Sequence, residues 1–287
     1  MAAVEKLKIK KIFNNNVILA EEISSKRELI LIGRGIGFSR KTGDDFLKSE
    51  LEIDKEFAPI EGEKRENYIQ LLEEIDSQVI GITEEIIAMV SSKLNEELDQ
   101  HIRIGLADHI AFSLKRIKDG IEVTNPFLAE TRTLYNQEYR LAEKAVQMIA
   151  NRFELDIPES EVGFITLHIH GARNERGVSK TLKNTSLIKE LVTEVENELG
   201  QKLSYESLNY ARLVNHLRFA LERIETDVSN PNPLLKNIKE NFDFSFKVAV
   251  KLAKIIEDKF NCQVPESEKG YLALHLHRLK RDLNNSQ

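Results

Sequence analysis

Asp108-His-Ile-Ala-Phe-Ser-Leu-Lys-Arg-Ile117 lies over Asn215-His-Leu-Arg-Phe-Ala-Leu-Glu-Arg-Ile224 in one chain, at an offset of 107 residues. At the same offset, Pro158-Glu-Ser-Glu-Val-Gly-Phe-Ile-Thr-Leu-His168 matches Pro265-Glu-Ser-Glu-Lys-Gly-Tyr-Leu-Ala-Leu-His275, and between these blocks Asn125-Pro-Phe-Leu128 matches Asn232-Pro-Leu-Leu235. No insertion separates the three blocks, so the chain carries two copies of one module. Six of its seven histidines fall into the repeat: His109 with His216, His168 with His275, His170 with His277. A duplicated core requires repeated leucines and prolines. It does not require repeated histidines.

Outward from the repeat, the periodicity is helical. Apolar residues at three- and four-residue spacing (Ile69, Leu72, Ile75, Val79, Ile82, Ile86) predict helix over 65–98. Pro158-Glu-Ser-Glu161 and its copy at Pro265 put acidic residues at helix starts, where they complement exposed N–H groups and the positive dipole end. The polar stretch from Ala172 to Thr185, with Gly171 before it, reads as the linker between modules. Two repeats are too few for a solenoid, so each module is expected to close as its own helical bundle.

Before the modules the pattern changes. Leu7 to Phe13, Val17 to Ala20 and Glu28 to Ile32 are short runs rich in β-branched residues, and Asn14-Asn-Asn16 separates the first two. That is a hairpin signature, because asparagine tolerates the positive φ of tight turns. Gly33-Arg-Gly-Ile-Gly-Phe38 is too rich in glycine for a strand interior, and Pro59 and Gly62 mark a charged linker. The expected fold class is therefore multidomain: a small all-β antiparallel N-terminal domain followed by two homologous all-α helical bundles. The expected boundaries are 1–62, 63–174 and 175–287.

Composition narrows the function classes. Of 287 residues, 31% are charged and 41% hydrophobic, the balance of an ordinary folded protein, and no apolar run approaches the ~20 residues of a membrane helix. Cytoplasmic location without membrane insertion is expected. Cys262 has no internal disulfide partner, and no cysteine–histidine cluster has zinc spacing. The net charge of −6 hides a segment, residues 1–45, whose nine lysines and arginines exceed its six acidic residues. A basic segment on an acidic body suits an anionic partner, although ordinary charge scatter also produces such an excess.

Histidines two apart on a helix point about 200° away from each other, so His168 and His170 cannot share a metal ion. No metal and no cofactor are expected. One reading of the repeated histidines is partly buried core residues retained by duplication, and for His170 and His277 that reading stands. The other is reversible phosphorylation. Neutral imidazole is nucleophilic near pH 7 and can accept a phosphoryl group from another phosphohistidine.

Lys8-Ile-Lys-Lys11, Phe13-Asn-Asn-Asn-Val17 and Leu31-Ile-Gly-Arg-Gly-Ile-Gly-Phe38, with Lys41 and Gly43-Asp44, resemble the RNA-binding domain of BglG/SacY-type transcription antiterminators. The two modules resemble that family's paired phosphotransferase-system regulation domains, and are most like those of its glucose-type members. The resemblance spans nearly the whole chain in the right order. It implies a regulator rather than an enzyme, one that binds a leader-mRNA hairpin as a homodimer and prevents a terminator from forming. By the same resemblance Lys11, Asn16, Gly33, Arg34 and Phe38 form the RNA site. His109 and His168, with His216 and His275, are the phosphorylation sites, served by a sugar-specific phosphotransferase permease and by the phosphocarrier protein HPr. The runner-up is a DNA-binding activator carrying the same regulation domains, which needs an N-terminal helix-turn-helix.

Overall fold

The computed structural model describes residues 5–57, 73–174, 177–226 and 231–284. The N-terminal part is an antiparallel five-stranded sheet of order β4-β1-β2-β3-β5, with β1 Lys6–Asn14, β2 Val17–Glu22, β3 Glu28–Ile32, β4 Asp45–Leu47 and β5 Lys55–Phe57. These strands, with one 3-10 turn at Lys48–Glu50, stand where a helix-turn-helix would have to be.

Ten helices follow among the described residues: α1 Ser77–Leu94, α2 His101–Lys118, α3 Leu128–Leu134, α4 Asn136–Phe153, α5 Glu159–Arg173, α6 Gly177–Leu199, α7 Leu208–Glu225, α8 Leu235–Asn241, α9 Asp243–Phe260 and α10 Glu266–Asn284. They assemble into two compact units. The first comprises residues 1–125 and 137–181, the second residues 126–136 and 182–287.

In the first unit the sheet is buried on both faces. Leu7, Ile9, Ile18, Ala20, Leu29 and Leu31 form one core with Phe46. On the other face Phe13, Val17, Leu19, Ile30 and Ile32 pack with Ile80 and Ala88 of α1 and Ala107 of α2. Burial on two faces explains why β2 and β3 contain unbroken apolar runs rather than alternating ones. Arg103 of α2 pairs with Glu84 of α1 at 3.0 Å, both buried, and its guanidinium lies 4.4 Å from the Phe57 ring centre on β5.

In the second unit α6, α7, α9 and α10 enclose one core around Leu191, Leu217, Leu252 and Ala273. The short helix α3 also packs here, although by sequence it belongs to the first copy and is the counterpart of α8. Ala129 and Leu134 rest on this core, and the Tyr210 hydroxyl donates to Glu130 at 2.8 Å.

Three expectations change. The asparagine turn joins β1 to β2 without positive φ at any of its asparagines; the Asn14 side chain accepts the Asn16 N–H at 2.7 Å and makes the turn instead. The helix anticipated over 65–98 is broken at Ile75–Asp76, where the Asp76 carboxylate accepts the Gln78 N–H at 2.7 Å and starts α1 afresh. Ile69 and Leu72, like the linker residues Pro59 and Gly62, lie outside the described residues. The linker anticipated over Ala172–Thr185 is mostly helical, because α5 runs to Arg173 and α6 starts at Gly177. Its polar residues are not all loop residues: Thr181 and Thr185 are buried and continue, at helical spacing, into Ile188 and Val192.

The Glu130 contact yields a test. Tyr210→Phe removes the hydroxyl that donates to a carboxylate residue only 1% exposed. The expected loss is about 1–3 kcal/mol, more than an exposed pair would give. Urea unfolding of the full chain measures it, and a change under about 0.5 kcal/mol would reject the buried bond.

Candidate histidine sites and nucleic-acid interface

His109 projects from α2 and His168 from α5. The packing of these helices brings the two rings together, at 5.1 Å between centres and a tilt of 42°. Phe164, one turn before His168, closes one side at 5.7 Å from His109. A buried carboxylate then fixes the imidazole: His109 Nε2–H donates to Glu161 at 2.8 Å, in the tautomer that an ionised carboxylate selects. Ser113 donates to the same oxygen at 2.7 Å, and Arg116 reaches the other at 3.5 Å.

Burial alone would raise the Glu161 carboxyl, but the bonds from His109 and Ser113 outweigh it and hold the carboxyl below its ordinary range. His168 behaves oppositely. Burial, reinforced by charge on His109, pushes it down to about 3. It faces a cleft of about 390 Å³ that Gly105 and Gly171 help to line. A Cβ at Gly105 would stand 3.5 Å from the His168 ring, and one at Gly171 would stand 2.7 Å from the Gly177 carbonyl carbon.

The second copy repeats the helices and changes the chemistry. His216 of α7 and His275 of α10 stack face to face at 3.4 Å and 18°. Glu268, the counterpart of Glu161, is gripped instead by Arg223 in two bonds of 2.9 and 2.7 Å. Ala220 stands where Ser113 stands in the first copy. Burial lowers His216, helped by Arg278, Arg212 and Arg223, and pushes His275 down to about 4, with His216 adding to the effect.

The third histidine pair is set apart, as the two-residue spacing requires. His170 bonds Glu138 at 2.9 Å, and Arg173 joins that carboxylate to Glu96. His277 stacks on Phe242 at 3.9 Å. Both occupy structural contacts. Asp108, the sequence neighbour of His109, is exposed, and the carboxylate that holds the ring is Glu161. The available signal was in the aligned blocks, where Glu161/Glu268 and Arg116/Arg223 repeat along with the histidines. Among the described residues no group of three or more histidine, cysteine or carboxylate side chains could hold a metal ion.

On the sheet, the asparagine turn and the glycine loop are laced together. Asn16 accepts the Gly33 N–H on its backbone and the Gly35 N–H on its side chain, both at 3.0 Å, while the Gly37 N–H donates to Asn15 at 2.9 Å. A Cβ at Gly33 would come within 2.2 Å of the Glu52 carbonyl oxygen, and one at Gly37 within 2.4 Å of that of Asn14, so both must be glycine. The loop presents Arg34 and Phe38 outward, with Phe38 68% exposed. Lys11 lies on β1, half-buried, with its ammonium 5.8 Å from the Phe13 ring centre. The Asn14 and Asn16 amides also donate to Glu85 of α1, at 2.9 and 3.5 Å.

Known families match the chain in three places. The CAT RNA binding domain matches residues 7–66, and the PRD domain matches twice, at 84–172 and 189–279. The PtsGHI operon antiterminator of Bacillus subtilis (strain 168) is 37% identical over 278 residues, covering 96% of this chain and 98% of that protein. The chain belongs to the BglG/SacY-type transcription antiterminators. As such it is an RNA-binding transcription regulator, with one RNA-binding domain and two phosphotransferase-system regulation domains. The GlcA/glcB genes antiterminator of Staphylococcus carnosus (strain TM300) is 30% identical, covering 93% of this chain and 94% of its own. The crystal structure of GlcT CAT-PRDI is 38% identical, covers 58% of this chain and 98% of that one, and aligns with a TM-score of 0.49. No described helix is long and apolar enough to cross a membrane.

The lowered histidines predict a pH dependence. An unfolded imidazole binds its proton near about pH 6.5. In the fold, His168 stays neutral to about 3 and His275 to about 4. The unfolded state therefore binds more protons between those limits, so this stability is full above about pH 6.5 and is lost as pH falls towards about 4. Ring NMR signals of both histidines should stay flat from about pH 8 to about 5, while the urea midpoint falls below about pH 6.5. Titration of either ring near its ordinary value would contradict the burial account.

Proposed function

We propose that this antiterminator binds a leader-mRNA hairpin of a sugar-uptake operon, specifically a glucose phosphotransferase operon, as a homodimer, and so prevents terminator formation. The proposed division is an RNA-binding domain over 1–62 and phosphotransferase-system regulation domains over 63–174 and 175–287. The relatives named for the PtsGHI operon and for the glcA and glcB genes favour glucose. The protein acts as a regulator in the cytoplasm and catalyses no reaction of its own.

Lys11, Asn16, Gly33, Arg34 and Phe38 form the RNA site in this reading. Arg34 and Lys11 neutralise phosphates, Phe38 stacks an unpaired base and Asn16 reads a base edge or ribose. Reversible phosphorylation of the first regulation domain, at His109 or His168, by the sugar-specific permease, and of the second, at His216 or His275, by HPr, sets activity. The observation that carries this reading is the pairing of imidazoles from distant segments in both copies, at 5.1 and 3.4 Å, while His170 and His277 are tied up structurally.

Gel shifts with a panel of operon leader RNAs test the first half. Arg34→Ala and Phe38→Ala should each weaken binding about tenfold, and Arg34→Ala should also reduce the salt slope by about one. Full affinity in both variants rejects the RNA site. A leader-reporter assay tests the second half. The wild type should be active in a strain lacking the permease, and His109→Ala or His168→Ala should restore activity in the sugar-starved parent. If the wild type is inactive without the permease and neither variant escapes repression, inhibitory phosphorylation of the first regulation domain is wrong.

A further inference from the structure

The two histidine sites differ most just outside the repeat blocks. Gly105 and Gly171 flank His168 in the first copy. At the 107-residue offset the second copy has Arg212 and Arg278. These two arginines come from different helices, α7 and α10, and line one pocket with His216, His275 and Asp282. Both are exposed. Asp282 lies between them, 3.9 Å from each guanidinium, too far for a good hydrogen bond to either. Its other oxygen lies 3.6 Å from Arg281.

We infer that Arg212 and Arg278 form a built-in phosphoryl-binding pair, which receives the phosphate when His216 or His275 is phosphorylated and exchanges Asp282 for it. The inference rests on the proposed phosphorylation of these histidines and adds residues that take the phosphate.

The chemistry fits. A phosphoryl group adds up to two negative charges and three acceptor oxygens, and planar guanidinium groups match such acceptors in paired bonds that a carboxylate at 3.9 Å does not make. Added to burial, Arg278 opposes protonation of both rings and Arg212 that of His216, which keeps a ring lone pair available for attack. Arg223 is not a candidate, because Glu268 already holds it in two bonds. Asp282, once displaced, keeps Arg281 beside it.

The transfer itself balances. The P–N bond of a donor phosphohistidine breaks and its electron pair stays on the donor ring. A P–N bond forms from the lone pair of a neutral acceptor ring, and the proton on each ring's other nitrogen stays in place. No oxidant or reductant takes part.

At the matching positions the first copy has Gly105 and Gly171. Among the described residues lining the His168 cleft there is no lysine or arginine, and Asp99 and His101 stand there instead. Phosphate charge in the second copy therefore has two guanidinium groups of the chain itself beside it.

The test uses the full chain, phosphorylated from phosphoenolpyruvate through the general phosphotransferase proteins and HPr. Phosphate is read on the peptides bearing His216 and His275. In Arg212→Gln/Arg278→Gln, phosphate loss should accelerate, or occupancy fall, by about tenfold. Labelling at His109 and His168 should be unchanged. Arg212→Lys/Arg278→Lys should recover part of the effect, which a merely structural role would not predict. Occupancy and loss rate within about twofold of wild type in the glutamine variant would overturn the inference.

A second arm separates this result from failure of phosphorylation as such. If the wild type takes no label on either copy, the phosphohistidine reading is what fails. Titration of the wild type with inorganic phosphate then decides the arginine pair. The His216 and His275 ring signals should move in the wild type and not in the glutamine variant. Signals unmoved in the wild type overturn it.

Discussion

Both histidine sites depend on one buried contact, a glutamate in the first turn of the second histidine helix held by groups on the first. Glu161 and Glu268 are 2% and 1% exposed, and each would be costly to bury uncompensated. Compensation has to come from the facing helix, which fixes how α2 sits on α5 and α7 on α10. That register is what carries His109 to His168 and His216 to His275. The carboxylate lies two helical turns before the histidine on its own helix, so it sets the helix pairing without lying between the rings.

The two copies satisfy this constraint differently, and the difference reaches the imidazoles. In the first, Ser113 and His109 share one Glu161 oxygen while Arg116 reaches the other only poorly, so one histidine is part of the clamp. In the second, alanine replaces the serine and Arg223 takes both oxygens of Glu268. His216 is thereby released to stack on His275. An imidazole bonded to a carboxylate has a fixed tautomer and orientation, while a half-buried stacked pair next to arginines is kept neutral. Duplication preserved the frame and left the two sites electrostatically unlike.

The frame is easier to read in the sequence than the sites. The repeat, the strands and the helix starts at Pro158 and Pro265 are local or periodic signals, and they survive in the structure. What was not legible is non-local. Nothing near His109 in the chain points to Glu161, and the adjacent Asp108 is exposed and plays no such part. The polar run after Ala172 has the composition of a linker, yet its buried threonines lie on a helical stripe, and here period outweighs composition. The place of α3 could not be read either. Its sequence matches α8, and the bond from Tyr210 to the buried Glu130 shows which core it joins.

The first unit also joins the histidine helix to the asparagine turn and the glycine loop. Ala107, two residues before His109, packs in the core that contains Phe13 and Val17, which flank the asparagine turn. Glu85 on α1 binds the Asn14 and Asn16 amides and is itself paired with Arg152 at 3.1 Å. Gly81 allows that approach, since a Cβ there would meet the Asn14 amide at 2.1 Å. Arg103 of α2 adds a second link, through Glu84 of α1 and the Phe57 ring of β5. A close-packed core does not yield gradually to displacement, so α2 cannot shift at His109 without repacking against these residues. The asparagine turn and the glycine loop share backbone bonds. His109 stands two residues along α2 from Ala107, on which the sheet rests.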